Sequence, residues 1–408
     1  MAQMKIFSNH YLSAKAKKKI KNRILVLYDF PLKGGGSGAY VKDLSLRLQE
    51  RGYEVAVALP DKAIIHQDIK QFKLNLPQIP VFIGRPGLEK SKKYSEMNAD
   101  EITALYTAYM NQTIKIIQVY KPDLIHVHHL LINAWVADFI RGLYGIRYVV
   151  TSHGSDLYVV GKDRRYFRKT REALRAADAI TVVSADTREK LLRMFGKELA
   201  HKTRTIPGGI RKDKFPEKLK EEELSNIRRK YNLKGDGIVL FTGRLIDEKG
   251  VEYLVKAASR IKGQIVIAGD GPQKKKLHEM VQKMKLDNVH ITGYIDHDTL
   301  IKLYYVADVF VAPSVWDDPM PLTIIEAMAA KLPVVVTRRG GISTAVKDGS
   351  TGFFVKTRNA SDIAMKVNRL LADKVLRRKV GERARSEVLR KFTWKKIAER
   401  FDSIYSKI

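Results

Sequence analysis

Short apolar runs alternate with helical patterns along most of the chain. The runs at residues 23–28 and 54–59 are bounded by polar residues, which is typical of strands buried on both faces of a parallel sheet. Between them Leu44 and Leu48 recur at the spacing of one apolar helix face, and a last amphipathic pattern at residues 394–408 predicts a terminal helix. A strand, a helix and a strand within about 35 residues predict one βαβ unit.

This alternation extends through two successive series. In the first, further helices are predicted at residues 105–120, 134–144 and 166–176, and further strands at residues 124–127, 148–151 and 179–183. In the second, strands are predicted at residues 238–241, 265–268, 289–292, 309–312 and 334–337. Pro207 and Gly208 interrupt the pattern, and the charged stretch at residues 212–234 is typical of a linker. Helices between apolar strands imply parallel sheets covered on both faces, so the predicted fold class is α/β with two doubly wound domains facing each other.

Composition narrows the class of protein. The chain has 408 residues, 45% of them hydrophobic, which is enough for two full-sized cores. It has no cysteine, so disulfides, thiolate catalysis and cysteine-ligated metals are excluded. No segment approaches the ~18 apolar residues of a membrane-spanning helix, and residues 1–23 lack the apolar core of a signal peptide. We therefore expect a cytoplasmic protein.

The charge balance is strongly basic. Lys and Arg total 75 against 44 Asp and Glu, which gives a net charge of +31. Nucleic acid, an anionic membrane and an anionic substrate are the partners that such a charge favours, and a lysine-rich surface of a heat-adapted protein is the fourth explanation. Most aromatic residues stand inside apolar strands and helices rather than between basic residues, so we expect no nucleic-acid partner.

Two basic residues follow the first strand of the second series. Ligands of parallel sheets collect beyond the carboxyl ends of the strands. Arg244 and Lys249 lie in one such loop and can converge on one anion, where a planar fork and a point charge together suit a diphosphate. The alternative is that they pair with Asp247 and Glu248, which lie beside them in the loop.

Carboxylates follow a later strand of the same series. Asp317 and Asp318 stand in a proline-rich loop, and Glu326 lies about one turn into a helix that begins near Leu322. Apolar neighbours predict that Glu326 faces inward, where a ribose diol or helix N–H groups would be suitable partners. The alternative is an acid that serves only a salt bridge or the helix dipole.

A glycine-rich loop spans residues 34–38, between the first strand and the first helix. Its backbone N–H groups and the helix dipole can approach a phosphate. It partly matches the dinucleotide-binding fingerprint, but the strand ends several residues too early for that motif. A simple connecting loop is the alternative, and a nucleotide-linked oxidoreductase is disfavoured.

Histidines stand at two strand ends of the first series. His153 can donate a hydrogen bond to a phosphate or hydroxyl in the predicted cleft, although a structural histidine is the alternative. A metal site is a second possibility, because three further histidines lie close together at His126, His128 and His129. The stretch offers no clear carboxylate ligand, so we expect no metal.

Five motifs in the second half of the chain, taken in order, together resemble those of a known protein family. They are Gly243-Arg244, Glu248-Lys249-Gly250, residues 268–272, Asp318 with seven residues before Glu326, and the glycine-containing stretches at residues 340–342 and 348–353. This set resembles the retaining glycosyltransferases of family four, a group with the GT-B fold. The resemblance covers nearly the whole chain beyond its basic start.

The resemblance implies a domain plan and a role for each motif residue. Its segments would be a basic arm at residues 1–22, a Rossmann-like acceptor-side domain at 23–208, a nucleotide-sugar-binding domain at 209–390 and a helix at 391–408 that returns to the first domain. Arg244 and Lys249 would hold the donor diphosphate, Glu326 the ribose, and His153 the sugar or the transition state. Asp318 stands near the sugar, where the family usually has glutamate. The other implied residues are Gly35, Gly36, Gly293, Tyr294, Pro321, Leu322 and Thr323 at the donor, and His128 and Asp156 at the acceptor.

The resemblance also implies a reaction. A hexose-type sugar would pass from a UDP-, GDP- or ADP-linked donor to a glycan, sugar or lipid-linked acceptor, with retention of anomeric configuration and without a metal or other cofactor. A nucleotide-sugar epimerase and a phosphorylase are the alternatives on the same fold. Basic clusters at residues 15–21 and 161–175 predict peripheral binding to an anionic membrane, with a solvated helix face as the alternative.

Overall fold

The computed structural model of the protein describes residues 22–32, 35–61, 64–81 and 91–408. The basic cluster at residues 15–21 and Gly34 of the glycine-rich loop lie outside the described residues. No helix of the described ranges is long and apolar enough to cross a membrane.

The first half of the chain builds one parallel sheet. Its strands are β1 (Arg23–Leu27), β2 (Glu54–Leu59), β3 (Lys70–Lys73), β4 (Pro80–Val81), β5 (Lys92–Lys93), β6 (Leu124–His128), β7 (Arg147–Ser152), β8 (Ala179–Val182) and β9 (Thr203–Thr205). Its helices are α1 (Gly36–Glu50), α2 (Ala99–Tyr120), α3 (Ile132–Tyr144), α4 (Ser155–Lys162), α5 (Phe167–Ala176) and α6 (Ala185–Phe195). Strands β4 and β5 pair with each other in a separate two-stranded sheet, and the other seven form a sheet in the order β3-β2-β1-β6-β7-β8-β9.

The second half builds a second parallel sheet. Its strands are β10 (Ile238–Thr242), β11 (Gln264–Ala268), β12 (Val289–Gly293), β13 (Val309–Ala312), β14 (Val334–Thr337) and β15 (Gly352–Val355), in the order β12-β11-β10-β13-β14-β15. Its helices are α7 (Glu221–Lys230), α8 (Val251–Ala257), α9 (Lys274–Lys283), α10 (His297–Val306), α11 (Leu322–Ala329), α12 (Ala360–Ala372) and α13 (Lys374–Lys391). Both sheets are covered on both faces, so the predicted α/β class with two Rossmann-like domains is confirmed.

The last helix, α14 (Trp394–Tyr405), packs on the first domain although it follows the second in sequence. Trp394, Ile397, Phe401 and Tyr405 are buried in the core of the first sheet, as the predicted return of this helix requires. The chain crosses between the domains twice, and the two crossings lie side by side at Ile210 and Thr393. The N–H of Ile210 donates to the carbonyl of Phe392 at 2.7 Å, and the N–H of Trp394 donates to the carbonyl of Ile210 at 3.1 Å. The predicted segment ends at residues 208 and 390 lie close in sequence to Ile210 and Thr393, and the domain plan stays a prediction.

Several elements differ from the sequence-based expectations. Helix α2 begins at residue 99 rather than 105, because Asn98 accepts from the N–H of Glu101 while the Glu101 carboxylate accepts from the N–H of Asn98. Helices α4 and α6 were not predicted, although Ser184 caps α6 by accepting from the N–H of Thr187. Strand β3 was missed because it is a polar edge strand, which the search for apolar runs does not detect.

Candidate active site

A cleft with a volume of about 280 Å³ lies between the two domains. Its walls are the loops that follow strands of both sheets, so it occupies the place where parallel sheets bind ligands. The expected site residues on its walls are Gly35, Gly36 and His153 from the first domain and Arg244, Lys249, Asp318 and Leu322 from the second. Residues predicted from separate motifs therefore meet in one place.

The ammonium group of Lys249 is held by Asp318. The two groups form an ion pair across the loops after β10 and β13, and these loops are also joined by a 3.0 Å bond from the N–H of Val315 to the carbonyl of Glu248. Gly250 makes the approach possible, because its φ of +63° favours glycine and a Cβ there would overlap the carbonyl of Pro313. The alternative in which Lys249 pairs with its neighbours in the loop is wrong.

Glu326 lies in α11, one turn behind the cleft wall. Its carboxylate accepts from the hydroxyl of Tyr304 at 3.1 Å and lies 3.0 Å from Nε2 of His297. The buried Tyr304 hydroxyl also lies 2.9 Å from the hydroxyl of Thr242 at the end of β10. The hydrogen bond to Glu326 raises the pKa of His297. The Glu326 side chain is therefore largely covered, being 14% exposed, and two protein partners fix the direction of its carboxylate.

His153 and His128 form a pair at the ends of neighbouring strands. Nε2 of His153 lies 2.9 Å from Nδ1 of His128, and burial lowers the pKa of both rings well below the usual value. Both rings are therefore neutral near pH 7, and only one of the two facing nitrogens carries a hydrogen. His126 bonds instead to Thr151 at 2.7 Å and Tyr405 at 2.8 Å. Within the described part of the chain, no three His, Cys, Asp or Glu side chains form a cluster that could hold a metal.

Asp156 supports the turn that carries His153. It is fully buried and accepts from the hydroxyl of Ser152 at 2.7 Å and from the N–H groups of Gly154 and Leu157 at 2.9 Å each. Burial alone would raise the pKa of Asp156, but hydrogen bonds, chiefly from the His129 side chain, lower it. His128 and Asp156, expected on the acceptor side, are both completely buried and are not among the residues that line the cleft. Their contact with an acceptor stays a prediction.

The four remaining expected donor contacts are not among the residues that line the cleft. Pro321 and Thr323 flank the wall residue Leu322. Gly293 and Tyr294 lie at the end of β12, near Asp270, and the Tyr294 side chain is 81% exposed. Contact of these four residues with a nucleotide stays a prediction.

Three aromatic residues of the cleft wall were missed, namely Phe30, Tyr40 and Trp316. Tyr40 packs edge-on against His153 with ring centres 5.1 Å apart, and its hydroxyl donates to the carbonyl of Ile206 at 3.2 Å. Trp316 stands two residues before Asp318. These residues could have been found from their positions next to the motifs, since Tyr40 lies one turn after Gly36 at the start of α1.

Two family models match the chain. The model described as Glycosyltransferase Family 4 matches residues 34–214, and the model described as Glycosyl transferases group 1 matches residues 224–387. Together they cover most of each domain, including the cluster of motifs in the second.

Known proteins similar to the chain match it over almost their whole length. An uncharacterized glycosyltransferase of Methanocaldococcus jannaschii is 28% identical over 93% of this chain and 97% of its own. Sucrose-phosphate synthase of Thermosynechococcus elongatus has a TM-score of 0.78 and 26% identity, covering 95% of this chain and 99% of its own. HepE of Anabaena, solved in complex with UDP, has a TM-score of 0.77 at 18% identity, covering 95% and 100%.

Proposed function

Because the chain belongs to the group 1 glycosyltransferases of family four, we propose that it transfers a hexose-type sugar from a nucleoside-diphosphate donor with retention of anomeric configuration. The acceptor would be a glycan, a sugar or a lipid-linked glycan. UDP is the first nucleotide to test, since the similar HepE structure contains it.

The observation that carries this proposal is the pair of cations facing the glycines across the cleft. Arg244 and Lys249 line the second-domain wall, and Gly35 and Gly36 at the start of α1 line the opposite wall. A pyrophosphate between them would meet a guanidinium fork, an ammonium group and the N-terminal end of a helix. Cleavage of the bond between sugar and phosphate leaves negative charge on the diphosphate, and preorganised cations stabilise charge most where it develops.

Asp318 and His153 would act on the sugar. Asp318 is nearly buried, while His153 is neutral and lies on the opposite wall. A neutral imidazole N–H can donate to a sugar oxygen without adding a competing charge, and a carboxylate can accept from sugar hydroxyls or oppose an oxocarbenium-like centre. Retention follows if the acceptor oxygen attacks the face from which the diphosphate departs.

Thermal shift followed by product analysis tests the proposal. UDP, GDP, ADP and their hexose derivatives are added to the purified full chain, and a ligand at 100 times its Kd stabilises the protein by about 2.7 kcal/mol. The stabilising nucleotide sugar is then incubated with candidate acceptors, and the anomeric proton coupling of the product is compared with that of the donor. Stabilisation by no nucleotide, or inversion at the anomeric carbon, would contradict the proposal.

The basic surface of the first domain supports a lipid-linked acceptor. The side chains of Arg168 and Lys169 on α5 are 90% and 66% exposed, although both also contact Glu172. Each basic residue close to an anionic bilayer contributes about 1 kcal/mol to binding. We expect co-sedimentation with anionic vesicles at low salt that is lost at high salt, and absence of sedimentation at low salt would rule out membrane binding.

A further inference from the structure

The segment at residues 313–321, here named the Asp318 loop, belongs to the second domain but contacts the first. It connects β13 to α11 and carries Trp316, Asp317 and Asp318. Asp318 contacts Lys249 within its own domain, whereas the two residues before it each have a partner on the first domain. The position of this loop therefore depends on how the domains meet.

Asp317 lies between a cation of each domain. Nζ of Lys190 on α6 lies 2.9 Å from one carboxylate oxygen, and Nε of Arg339 after β14 lies 3.0 Å from the other. Lys190 is also 2.9 Å from Asp186 on its own helix. Burial alone would raise the pKa of Asp317, but the contacts with Lys190 and Arg339 lower it, so the group is ionised at neutral pH.

The neighbouring contacts of the Asp318 loop are closely fitted. The ring of Trp316 packs against Tyr158 of α4 with centres 4.7 Å apart and planes 74° apart. Just before α4, Gly154 has a φ of +92°, and a Cβ there would overlap the ring of Pro319. Two helices of the first domain, α4 and α6, therefore both support this loop.

We propose that Lys190 is a positioning residue for sugar transfer, and that through Asp317 it holds the Asp318 loop in the closed cleft with Asp318 directed at Lys249. The proposal rests on the proposed function, because it gives Asp318 a place beside the transferred sugar. Separation of the domains breaks the contact of Lys190 with Asp317 but leaves that of Arg339, which lies in the same domain as Asp317. Lys190 thus contributes only when the two halves of the site are together.

The test compares Lys190→Ala with a control on the same helix. Arg193→Ala removes an equal charge from α6, but Arg193 pairs with Glu189 of that helix rather than with the other domain. Half-exposed ion pairs contribute up to about a fivefold effect. We expect Lys190→Ala to lower kcat about fivefold, to leave the Kd for the nucleoside diphosphate unchanged, and to increase the radius of gyration in small-angle scattering, whereas Arg193→Ala changes none of these.

A double-mutant cycle with Asp317→Asn tests whether the loss of kcat in Lys190→Ala comes from the contact between Lys190 and Asp317. We expect Lys190→Ala to lower kcat no further once Asp317 is asparagine. Additive losses, or a Lys190→Ala variant that matches Arg193→Ala in kcat and scattering, would overturn the proposal. Scattering needs no turnover. If the wild-type protein transfers no sugar but the Lys190→Ala variant has an increased radius of gyration, the proposed function is contradicted while the domain contact is retained.

Discussion

Replacement of Lys249 by alanine tests whether this lysine acts on the donor or only fixes the Asp318 loop. The side chains of Lys249 and Asp318 are 26% and 10% exposed, so loss of the lysine leaves a nearly buried carboxylate without its cation. Breaking a fully buried ion pair costs about 3–5 kcal/mol. Because water reaches part of Lys249, we expect a loss of about 2 kcal/mol in the free energy of unfolding.

The effect on catalysis should be larger than the effect on stability. Loss of one preorganised group that faces developing charge lowers kcat about 10²- to 10³-fold, or ~2.7–4 kcal/mol. The double variant Lys249→Ala with Asp318→Asn removes the unpaired carboxylate charge as well. We expect it to recover most of the lost stability, which would assign the stability loss of Lys249→Ala to the unpaired carboxylate.

The assay measures release of the nucleoside diphosphate at saturating donor, together with the midpoint of thermal unfolding. Lys256→Ala is the matched control, because Lys256 lies on the adjacent helix α8, is 45% exposed and pairs with Glu252 at 3.6 Å. We expect the control to behave as wild type in both measurements. A Lys249→Ala variant with unchanged turnover and a lowered midpoint would show that the residue only supports the fold, and the diphosphate role would have to be abandoned.

Three further predictions concern the surroundings of Glu326 and the last helix. Tyr304→Phe removes one hydrogen bond to Glu326 and should raise the donor KM about fivefold, whereas Tyr305→Phe, whose hydroxyl bonds to a backbone carbonyl 89 positions away, should not. The raised pKa of His297 means that its contact with Glu326 stabilises the fold fully below about pH 6.5, and that this stabilisation disappears as the pH rises through the raised pKa. Denaturant unfolding should therefore show a greater loss in the free energy of unfolding for His297→Gln at pH 6 than at pH 8.5. Phe401→Ala, at a fully buried position of α14, should cost about 3–5 kcal/mol in a chemical-denaturation curve.

The central strands could be predicted because a strand that is buried on both faces consists of consecutive apolar residues. Residues 24–27 of β1 are all buried, since helices cover both faces of the sheet, and the matching run in the sequence was found at nearly its full length. Edge strand β3 has the composition Lys-Gln-Phe-Lys, which gives no such signal. Helix α4 is also short and begins after Gly154 without a side-chain cap, so its start leaves no polar signature.

The site could be predicted in parts but not as a set of contacts. Arg244, Lys249 and Asp318 were found because each follows a strand, and parallel strands direct their carboxyl ends to one edge. Sequence could not show that Lys249 pairs with Asp318 rather than with its neighbours, because the partner is 69 residues away. It likewise could not show that His128 is buried, since this depends on the α14 helix and Tyr40 packing over the strand ends.

The two adjacent carboxylates of the Asp318 loop have separate partners, and on the proposed function this separation has a consequence for Lys249. The charge of Lys249 is balanced by Asp318, and a donor diphosphate would bring stronger negative charge to the same ammonium group. The phosphate would then compete with Asp318 for the lysine, and a carboxylate relieved of that pairing could accept hydrogen bonds from sugar hydroxyls. Asp317 meanwhile keeps its own cations, Lys190 and Arg339, so the loop need not move when Asp318 changes partner. On the proposed function, separate partners for the two adjacent carboxylates would thus allow one to remain an anchor while the other takes part in the reaction.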